Sequence, residues 1–253
     1  MPDGRVPLSA VLITRNAASR LGPCLDSLGF CDEILVVDSG SEDDTVALAE
    51  RRGAQVIPAD WRGFGPQKQY AVKQAKHDWV LCIDADERVS EPLREEILTA
   101  LADPRFDAYR FARCNRFMGR YLRHGEGYPD WSLRLFDRRR AHWSDDAVHE
   151  KVLTDVVVGT LPGDLLHDSA ESLDSYLAKQ NRYTTLAAET ALKQGRRAGV
   201  AKMLLSPFFR FIKFYVLRLG FLDGVPGLVH ILIGCQNSFA KYAKMRAFLA
   251  EKH

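Results

Sequence analysis

The sequence predicts an α/β protein with a mostly parallel sheet flanked by helices and a helical extension at the C-terminal end. Through the first hundred residues, short apolar runs alternate with segments whose apolar residues recur at helical spacing. The runs that predict strands are residues 8–13, 34–38, 55–58 and 79–84. Strands that alternate with helices of about ten to fifteen residues are typical of right-handed crossovers between parallel strands.

Helical spacing and helix-start signals mark the segment after each strand. After the first strand, Leu21, Cys24, Leu25 and Leu28 recur on one face. Ser41 with Asp44 three residues later resembles a capping box and predicts the start of the next helix, which Gly53 ends. A further helix is predicted over about 66–76, and Ser90 with Pro92 predicts one from there to about residue 102.

The pattern changes after residue 104. Residues 109–113 and 133–136 alternate apolar with basic side chains, as half-exposed strands do, and a loop rich in glycine and aromatic residues separates them at 119–131. From about residue 168 the chain reads as helical. We therefore expect a catalytic domain over residues 1–168 and a helical region over 169–253 that contacts a membrane or mediates oligomerisation.

Composition indicates a soluble globular class of protein. The 253 residues are 46% hydrophobic and 27% charged, and the net charge of +2 gives no argument for a nucleic-acid partner. The five cysteines are widely spaced and form no Cys-x-x-Cys motif, so we expect reduced thiols in the cytosol. The apolar run near the N-terminus is interpreted as a first strand, because no cleavage site of small residues follows it.

Polar residues follow three of the predicted strands at the point where each strand ends. They are Thr14-Arg15-Asn16, Asp38-Ser39-Gly40-Ser41 and Asp84-Ala85-Asp86. Carboxyl ends of parallel strands share one edge of the sheet, so these groups should line one crevice, and the helix that starts near Ser41 should favour an anion there. An acid pair can bind a divalent cation shared with phosphate, although acids are also common in solvated turns.

Two common nucleotide motifs are missing from the sequence. No Gly-x-Gly-x-x-Gly follows the first strand, and no Gly-x-x-x-x-Gly-Lys-Ser/Thr occurs in the chain. Dinucleotide binding of the Rossmann type and P-loop chemistry are therefore disfavoured.

The strand-end residues resemble glycosyltransferase family 2, the inverting nucleotide-sugar transferases of the GT-A fold. The landmarks Thr-x-Asn, Val-Asp-Ser-Gly-Ser and Asp-x-Asp occur in order, and the resemblance covers roughly residues 8–170. Within the family, the chain more closely resembles the bacterial lipopolysaccharide core β-1,4-glucosyltransferase group. That similarity lies in residues 63–68, 128–136, 148–150, 181–185 and 219–224.

The resemblance implies a nucleotide-sugar donor, with UDP favoured, and a divalent cation, Mg²⁺ or Mn²⁺. Asp86 would be the principal metal ligand, Asp84 would bridge metal and ribose, and His167 would complete the metal site, unless it is a histidine at a helix entry or core edge. The implied nucleotide-binding residues are Thr14, Arg15, Asn16, Asp38, Ser39, Lys68 and Asp84.

Inverting transfer also needs a general base and groups that receive the acceptor. Glu150, in Val148-His149-Glu150, occupies the place that the family gives to the base, and Asp130 is the rival candidate. Lys68, Arg134 and Arg138 are candidates for phosphate contacts, since guanidinium groups pair with phosphate. Trp131, Tyr128 and Trp143 could stack on sugar rings or pack in the core.

The C-terminal region suggests a membrane partner. Over 203–222 the only charges are Arg210, Lys213 and Arg218, which fall on one side of an otherwise apolar helix. The alternative is a helical hairpin that packs on the catalytic domain or on a second subunit, which leaves a homo-oligomer open. Residues 224–240 are too short and too polar for a confident membrane span.

Together these observations predict a cytoplasmic enzyme, peripheral to the inner face of the cell membrane, that transfers a hexose such as glucose to a lipid-anchored saccharide such as the lipopolysaccharide inner core. Two other functions are considered. A sugar-phosphate nucleotidylyltransferase should carry a Gly-rich basic signature after the first strand, which residues 14–17 do not supply. A non-catalytic membrane-binding scaffold would be favoured by loss of an acid at 84, 86 or 150, and all three are present.

Overall fold

The computed structural model describes residues 4–146, 150–168, 172–197 and 199–250. These residues form two compact units. The first comprises the chain up to residue 114 and residues 130–168, and the second comprises residues 115–129 and the chain after 168. Residues 115–129, which the sequence places within the domain 1–168, thus group with the C-terminal helices.

The first unit is built on a mixed sheet. Its strands are β1 Leu8–Thr14, β2 Glu33–Asp38, β3 Gln55–Pro58, β4 Trp79–Cys82, β5 Glu87–Val89, β6 Ala108–Phe117, β8 Asp130–Asp137 and β11 Val158–His167, and their order in the sheet is β3-β2-β1-β4-β8-β6-β11-β5. Pairing is parallel from β3 to β4. It is antiparallel between β4 and β8, β8 and β6, and β11 and β5. The α/β class is confirmed, and the parallel part is the half that the sequence predicts.

Four helices cover this sheet, namely α1 Ala18–Asp26, α2 Thr45–Arg51, α3 Phe64–Gln74 and α4 Glu91–Ala102. Ser90 caps α4 as predicted, since its hydroxyl accepts a hydrogen bond from the Leu93 amide at 3.3 Å. The predicted start of α2 near Ser41 is wrong by several residues. The Ser41 amide and hydroxyl both donate to Asp38, which holds Ser41 in the loop, and Asp43 accepts from the Thr45 amide where the helix begins.

The alternation of side chains along β1 divides the core into two layers. Leu8, Ala10 and Leu12 pack with residues of α1 and α4, whereas Val11 packs on the other face with α3. Both faces of the parallel strands are therefore buried, as their continuous apolar sequences predict.

The strands after residue 140 were not predicted. β9 Ala141–Trp143 and β10 Val152–Thr154 form a two-stranded sheet, and β11 contains Gly159, Pro162 and Gly163. Such residues usually indicate a loop. In β11 they permit close packing, because a Cβ at Gly163 would lie 2.4 Å from the backbone of Leu93 in α4. The glycines that indicate a loop in the sequence thus allow β11 to pack closely against α4.

The second unit is mostly helical. It contains α5 Leu173–Lys193, α6 Val200–Phe211, a π-helical segment Ile212–Leu217, a 3-10 turn Gly220–Asp223 and α7 Gly224–Ala250, and β7 Arg120–Tyr121 pairs with the end of β6. Ala188 and Ala191 of α5 pack against Met245 of α7 in a small core.

Residues 115–129 are tied to these helices by polar contacts. The buried Asp223 carboxylate accepts from the amides of Arg123 and His124 at 3.0 and 2.8 Å. Arg210 forms an ion pair with Glu126, and Arg218 donates to the Tyr128 carbonyl at 3.3 Å. Two of the three cations expected to face lipid therefore have partners in this loop.

No single described helix is long and apolar enough to cross a membrane. The segments Val200–Leu217 and Gly220–Ala250 meet the length and composition criteria only as a pair, and the pair is bent by 75°.

The N-terminal turn of α3 touches the segment that follows β9. The Gly65 amide donates to the Asp146 carbonyl at 3.3 Å, and a Cβ at position 65 would lie 2.1 Å from the Ser144 carbonyl oxygen and 3.3 Å from Cβ of Glu150. Glycine is required there because backbone atoms fill the space that a side chain would need.

We expect Gly65→Ala to lower the free energy of unfolding by about 1–3 kcal/mol, the usual cost of forcing an extra carbon into a packed site. Gly29→Ala is the matched control, because its nearest backbone neighbour would be 3.9 Å from the new Cβ. Urea denaturation of both variants tests this. Equal stability of Gly65→Ala and the parent would contradict the observed packing.

Candidate active site

A pocket of about 540 Å³ opens where β1 and β4 end. It is lined by Ile13, Thr14, Arg15, Trp61, Phe64, Lys68, Asp84, Asp86, Glu150 and His167. Seven of these were predicted from the sequence, so strand ends that are distant in the chain do meet at one edge. Trp61 and Phe64, which pack edge to face with ring centroids 4.9 Å apart, were not predicted. The sequence feature that could have identified them as site residues is their position shortly after the third predicted strand.

Acidic and basic side chains of the site alternate in a continuous series of ion pairs. We call this set the charge chain; its members in spatial order are Glu150, Lys68, Asp84, Arg134, Glu87, Arg113 and Asp130. Lys68 Nζ lies 2.9 Å from both Asp84 Oδ1 and Glu150 Oε1. Arg134 Nη2 lies 3.0 Å from Asp84 Oδ2. Both carboxylate oxygens of Asp84 thus have a cationic partner.

Burial and neighbouring charges shift the pKa values of the acids in the charge chain in opposite directions. Burial disfavours the ionised form of Asp84, but the nearby Arg134 and Lys68 charges hold its pKa well below the usual range. Burial raises the pKa of Glu87, although the Arg134 charge opposes that effect. Asp84 is therefore ionised at neutral pH.

Glu87 is a site residue whose role the sequence did not reveal. Its side chain is fully buried, its Oε2 accepts from the Asp84 amide at 3.0 Å, and its Oε1 lies 3.3 Å from Arg134. The alternation of Glu87, Arg88 and Val89 in the short strand β5 turns Glu87 inward. It positions both the backbone of Asp84 and the guanidinium of Arg134.

Asp86 and His167 face each other across the end of β11. His167 pairs with Glu87 in the antiparallel register of β11 and β5, which brings its Nε2 to 3.5 Å from Asp86 Oδ2. Burial favours the neutral form of Asp86, but the hydrogen bond and charge of His167 outweigh it and lower the Asp86 pKa. His167 thus ends a strand instead of beginning a helix.

The structure tests how a metal would fit here. Within the described residues, no group of three or more His, Cys, Asp or Glu side chains is arranged to hold a metal ion. Asp86 and His167 provide two adjacent donors, although Asp86 Oδ2 also lies 3.3 Å from Arg20 Nη1. Asp84 is held by Lys68 and Arg134. This donor set suits a cation whose remaining ligands are phosphate oxygens and water.

Three predicted nucleotide-binding residues lie at the ends of β1 and β2 but are not among the residues that line the pocket. Asp38 accepts from the Thr14 and Ser41 hydroxyls and from the amides of Gly40 and Ser41. Asn16 Oδ1 accepts from the Glu42 amide at 2.8 Å. Ser39 accepts from the side chain of Gln67 at 3.0 Å. In this structure Asp38 and Asn16 connect the C-terminal end of β1 to that of β2, and Ser39 connects the latter to α3.

A second pocket, of about 380 Å³, shares Asp84 and Glu150 with the first. Its other lining residues are Arg113, Trp131, Ser132, Leu133, Arg134, Trp143, Lys151 and Val152. Asp84 and Glu150 therefore stand between the two pockets.

The two candidates for the base differ in position. Glu150 lines both pockets, whereas Asp130 lines neither and accepts from Arg113 at 2.8 Å. Val148 and His149, the other members of the sequence motif that contains Glu150, lie outside the described residues. The geometry favours Glu150.

Arg138 was expected to contact phosphate, and its position contradicts this. Antiparallel pairing of β8 with β4 places Arg138 beside Asp78, at the opposite edge of the sheet from Asp84. Its guanidinium donates to the Val72 and Ala75 carbonyls at the C-terminal end of α3. Arg134, four residues earlier, reaches the site.

Comparison with known proteins agrees with this architecture. The model of Glycosyl transferase family 2 matches residues 9–154. The chain is 32% identical over 249 residues to the lipopolysaccharide core biosynthesis glycosyltransferase LpsC of Rhizobium meliloti (strain 1021), covering 95% of this chain and 92% of that protein. It is 31% identical over 255 residues to an uncharacterized glycosyltransferase of Rickettsia felis, covering 96% and 90%.

Two solved structures show the same fold at low sequence identity. The mannosyltransferase PcManGT from Pyrobaculum calidifontis, in complex with GDP-Man and Mn²⁺, has a TM-score of 0.52 and 18% identity over 98% of this chain and 87% of that chain. S. aureus TarS in complex with UDP-GlcNAc has a TM-score of 0.50 and 15% identity over 97% and 92%. These similarities confirm the predicted GT-A fold. Because the family model covers more than half of its length and relatives match nearly all of it, the chain belongs to glycosyltransferase family 2.

Proposed function

We propose that the protein is a metal-dependent inverting glycosyltransferase. It moves a hexose such as glucose from a nucleotide-diphosphate donor, a UDP-sugar, to a lipid-anchored saccharide such as the lipopolysaccharide inner core. The observation that carries the proposal is that Glu150 and Asp84 stand between two pockets. A donor in the first pocket and an acceptor in the second would meet at Glu150. The similarity to LpsC supports the class of acceptor.

The first pocket suits the donor. Arg15 and Lys68 provide cations for the diphosphate, and Thr14 lies at its wall. Asp86 and His167 would hold a divalent cation, with Asp84 beside them. Such a cation stabilises the charge that develops on the departing diphosphate.

Glu150 is the proposed general base. It takes the proton from an acceptor hydroxyl while that oxygen attacks the anomeric carbon, and the bond from that carbon to the diphosphate oxygen breaks on the opposite face. Lys68 bonds to Glu150 in this structure. When the donor diphosphate enters, Lys68 gains a third anionic partner besides Asp84 and Glu150, which leaves Glu150 available to the hydroxyl.

The C-terminal helices supply the proposed contact with the inner face of the membrane. Large apolar side chains are exposed along α6 and the segment after it; among them are Leu204, Leu205, Phe208, Phe209 and Leu217, the last of which is 74% exposed. Contiguous exposed apolar side chains indicate a binding surface. A lipid-anchored acceptor would be presented at such a surface.

Catalysis is favoured over the two other functions considered. Membership of a transferase family supports sugar transfer over nucleotidyl transfer. The charge chain and the Asp86–His167 pair are present together, which favours an enzyme over a scaffold that retains only the fold.

Asp86→Ala should abolish the metal-dependent part of donor binding, because it removes a carboxylate at a strand end without opening a cavity in the core. The measurement is a thermal-shift panel of UDP, GDP, CDP and ADP with and without Mn²⁺. A ligand at a hundred times its dissociation constant stabilises the parent by about 2.7 kcal/mol. Asp155→Ala, at an exposed position outside the pocket, is the control. Equal metal-dependent shifts in Asp86→Ala and the parent would remove Asp86 from the metal site.

Glu150→Gln should lower turnover by about 10²–10⁴, the usual effect of losing a general base, while donor affinity changes by less than about twofold. The amide keeps the shape of the side chain but cannot take the proton. Asp130→Asn is the matched variant and should retain most of the activity. Initial rates of sugar transfer distinguish them, and an active Glu150→Gln beside an inactive Asp130→Asn would transfer the role to Asp130.

The triple variant Phe208→Ser, Phe209→Ser, Leu217→Ser should bind liposomes of phosphatidylethanolamine and phosphatidylglycerol about 100-fold more weakly than the parent, since each side chain would lose part of about 1.5–3 kcal/mol of burial. Arg210 is left unchanged because it pairs with Glu126.

The control for that variant is Leu173→Ser, Leu177→Ser, Leu186→Ser, which changes exposed apolar residues on α5. Flotation measures binding in both. Activity on a delipidated acceptor should stay near that of the parent. If the parent never floats, and its size in solution corresponds to a dimer, the face instead binds a second subunit.

A further inference from the structure

We propose that the second pocket recognises an acceptor saccharide that carries an anionic group, a phosphate or a carboxylate, and that Lys151 contacts this group. The inference rests on the proposed function and adds a chemical requirement for the acceptor. It assigns a role to a lysine that neither the sequence motifs nor the charge chain includes.

The lining of the second pocket combines cations with aromatic rings. Arg113, Arg134 and Lys151 contribute positive charge, against the carboxylates of Asp84 and Glu150. Those two carboxylates are bonded to Lys68, and Asp84 is bonded to Arg134 as well. Both acids of the lining are therefore already paired with cations of the charge chain.

Lys151 differs from the other two cations. Arg113 pairs with Asp130, and Arg134 pairs with Asp84 and Glu87. Among the described residues no carboxylate lies within 4.0 Å of the Lys151 ammonium, and the residue is exposed. Its charge is thus available to a ligand.

The backbone of Lys151 is fixed even though its side chain is exposed. Its amide donates to the Ser144 hydroxyl at 3.2 Å, and its carbonyl accepts from the Ser144 amide at 2.8 Å. Lys151 directly follows Glu150, and both residues line the second pocket. An acceptor in this pocket can therefore meet Lys151 with an anionic group while its hydroxyl meets Glu150.

The two tryptophans of the pocket have separate roles. Trp143 is buried, with the Lys68 and Arg134 cations over its ring at 4.8 and 5.5 Å. Trp131 is 45% exposed, with the Arg110 guanidinium over its ring at 5.2 Å, and its exposed surface is available to the C–H groups of a sugar. Charge recognition by Lys151 and stacking on Trp131 can consequently be separated by mutation.

The test uses deacylated lipopolysaccharide core oligosaccharide in three forms: untreated, dephosphorylated, and dephosphorylated with its carboxyl groups reduced. Steady-state transfer gives the KM of each for the parent, Lys151→Met, Trp131→Ala and Lys73→Met. Lys73, exposed in the last turn of α3 and outside both pockets, is the matched control.

For the parent, removing the group that Lys151 contacts should raise the acceptor KM about tenfold. A rise on dephosphorylation identifies that group as a phosphate, and a rise only on reduction of the carboxyl groups identifies it as a carboxylate. Lys151→Met should show a KM for the untreated oligosaccharide raised by the same factor, with the donor KM changed less than twofold and no dependence on the charge of the acceptor. Trp131→Ala should raise KM equally for all three forms. Lys73→Met should match the parent.

Two results would overturn the inference. If the parent transfers sugar to all three forms with equal KM, or if Lys151→Met weakens charged and neutral acceptors alike, the pocket does not recognise an anion, and the proposed function stands without this requirement. If none of the three forms is glycosylated although the nucleotide binds, the lipopolysaccharide acceptor is excluded, and this inference with it.

Discussion

The position of Asp84 between Lys68 and Arg134 is the constraint on which the site depends. Ionised groups are costly to bury unless they are paired and hydrogen-bonded. Lys68 comes from α3 and Arg134 from β8, so meeting at Asp84 joins the parallel half of the sheet to the antiparallel half. The same lysine reaches Glu150 and so links Asp84 to the proposed base.

This arrangement distinguishes residues whose substitution would lower both stability and activity from residues whose substitution would affect mainly ligand binding. Lys68 and Arg134 are buried, and removing either would leave one carboxylate oxygen of Asp84 without its cationic partner, so stability and activity would fall together. Asp86 has a side chain that is 24% exposed, and its loss concerns binding more than folding. The partly exposed members of the site are consequently the informative ones for mechanism.

The sequence predicts those parts of the site that follow from one geometric rule. Thr14, Arg15, Asp84 and Asp86 meet because carboxyl ends of parallel strands share an edge. The distinction between Arg134 and Arg138 depends instead on the antiparallel register of β8 with β4, which local pattern does not reveal. β11 was not predicted for a related reason. Gly163 usually indicates a loop, and its role in close packing becomes visible only once α4 is known to lie against this strand.

In the C-terminal helices, too, the local sequence pattern does not reveal which groups the charged side chains contact. Helical periodicity predicts one continuous helix with Arg210 and Arg218 on one side, whereas α6 ends at Phe211 and a π-helical segment follows. Periodicity also does not identify the partners of the two arginines, which are Glu126 and the Tyr128 carbonyl. With these cations occupied, attraction to lipid headgroups would come mainly from Lys213, while the exposed phenylalanines and leucines supply apolar area. Because salt screens charge and not apolar burial, membrane binding by this surface should depend only weakly on ionic strength.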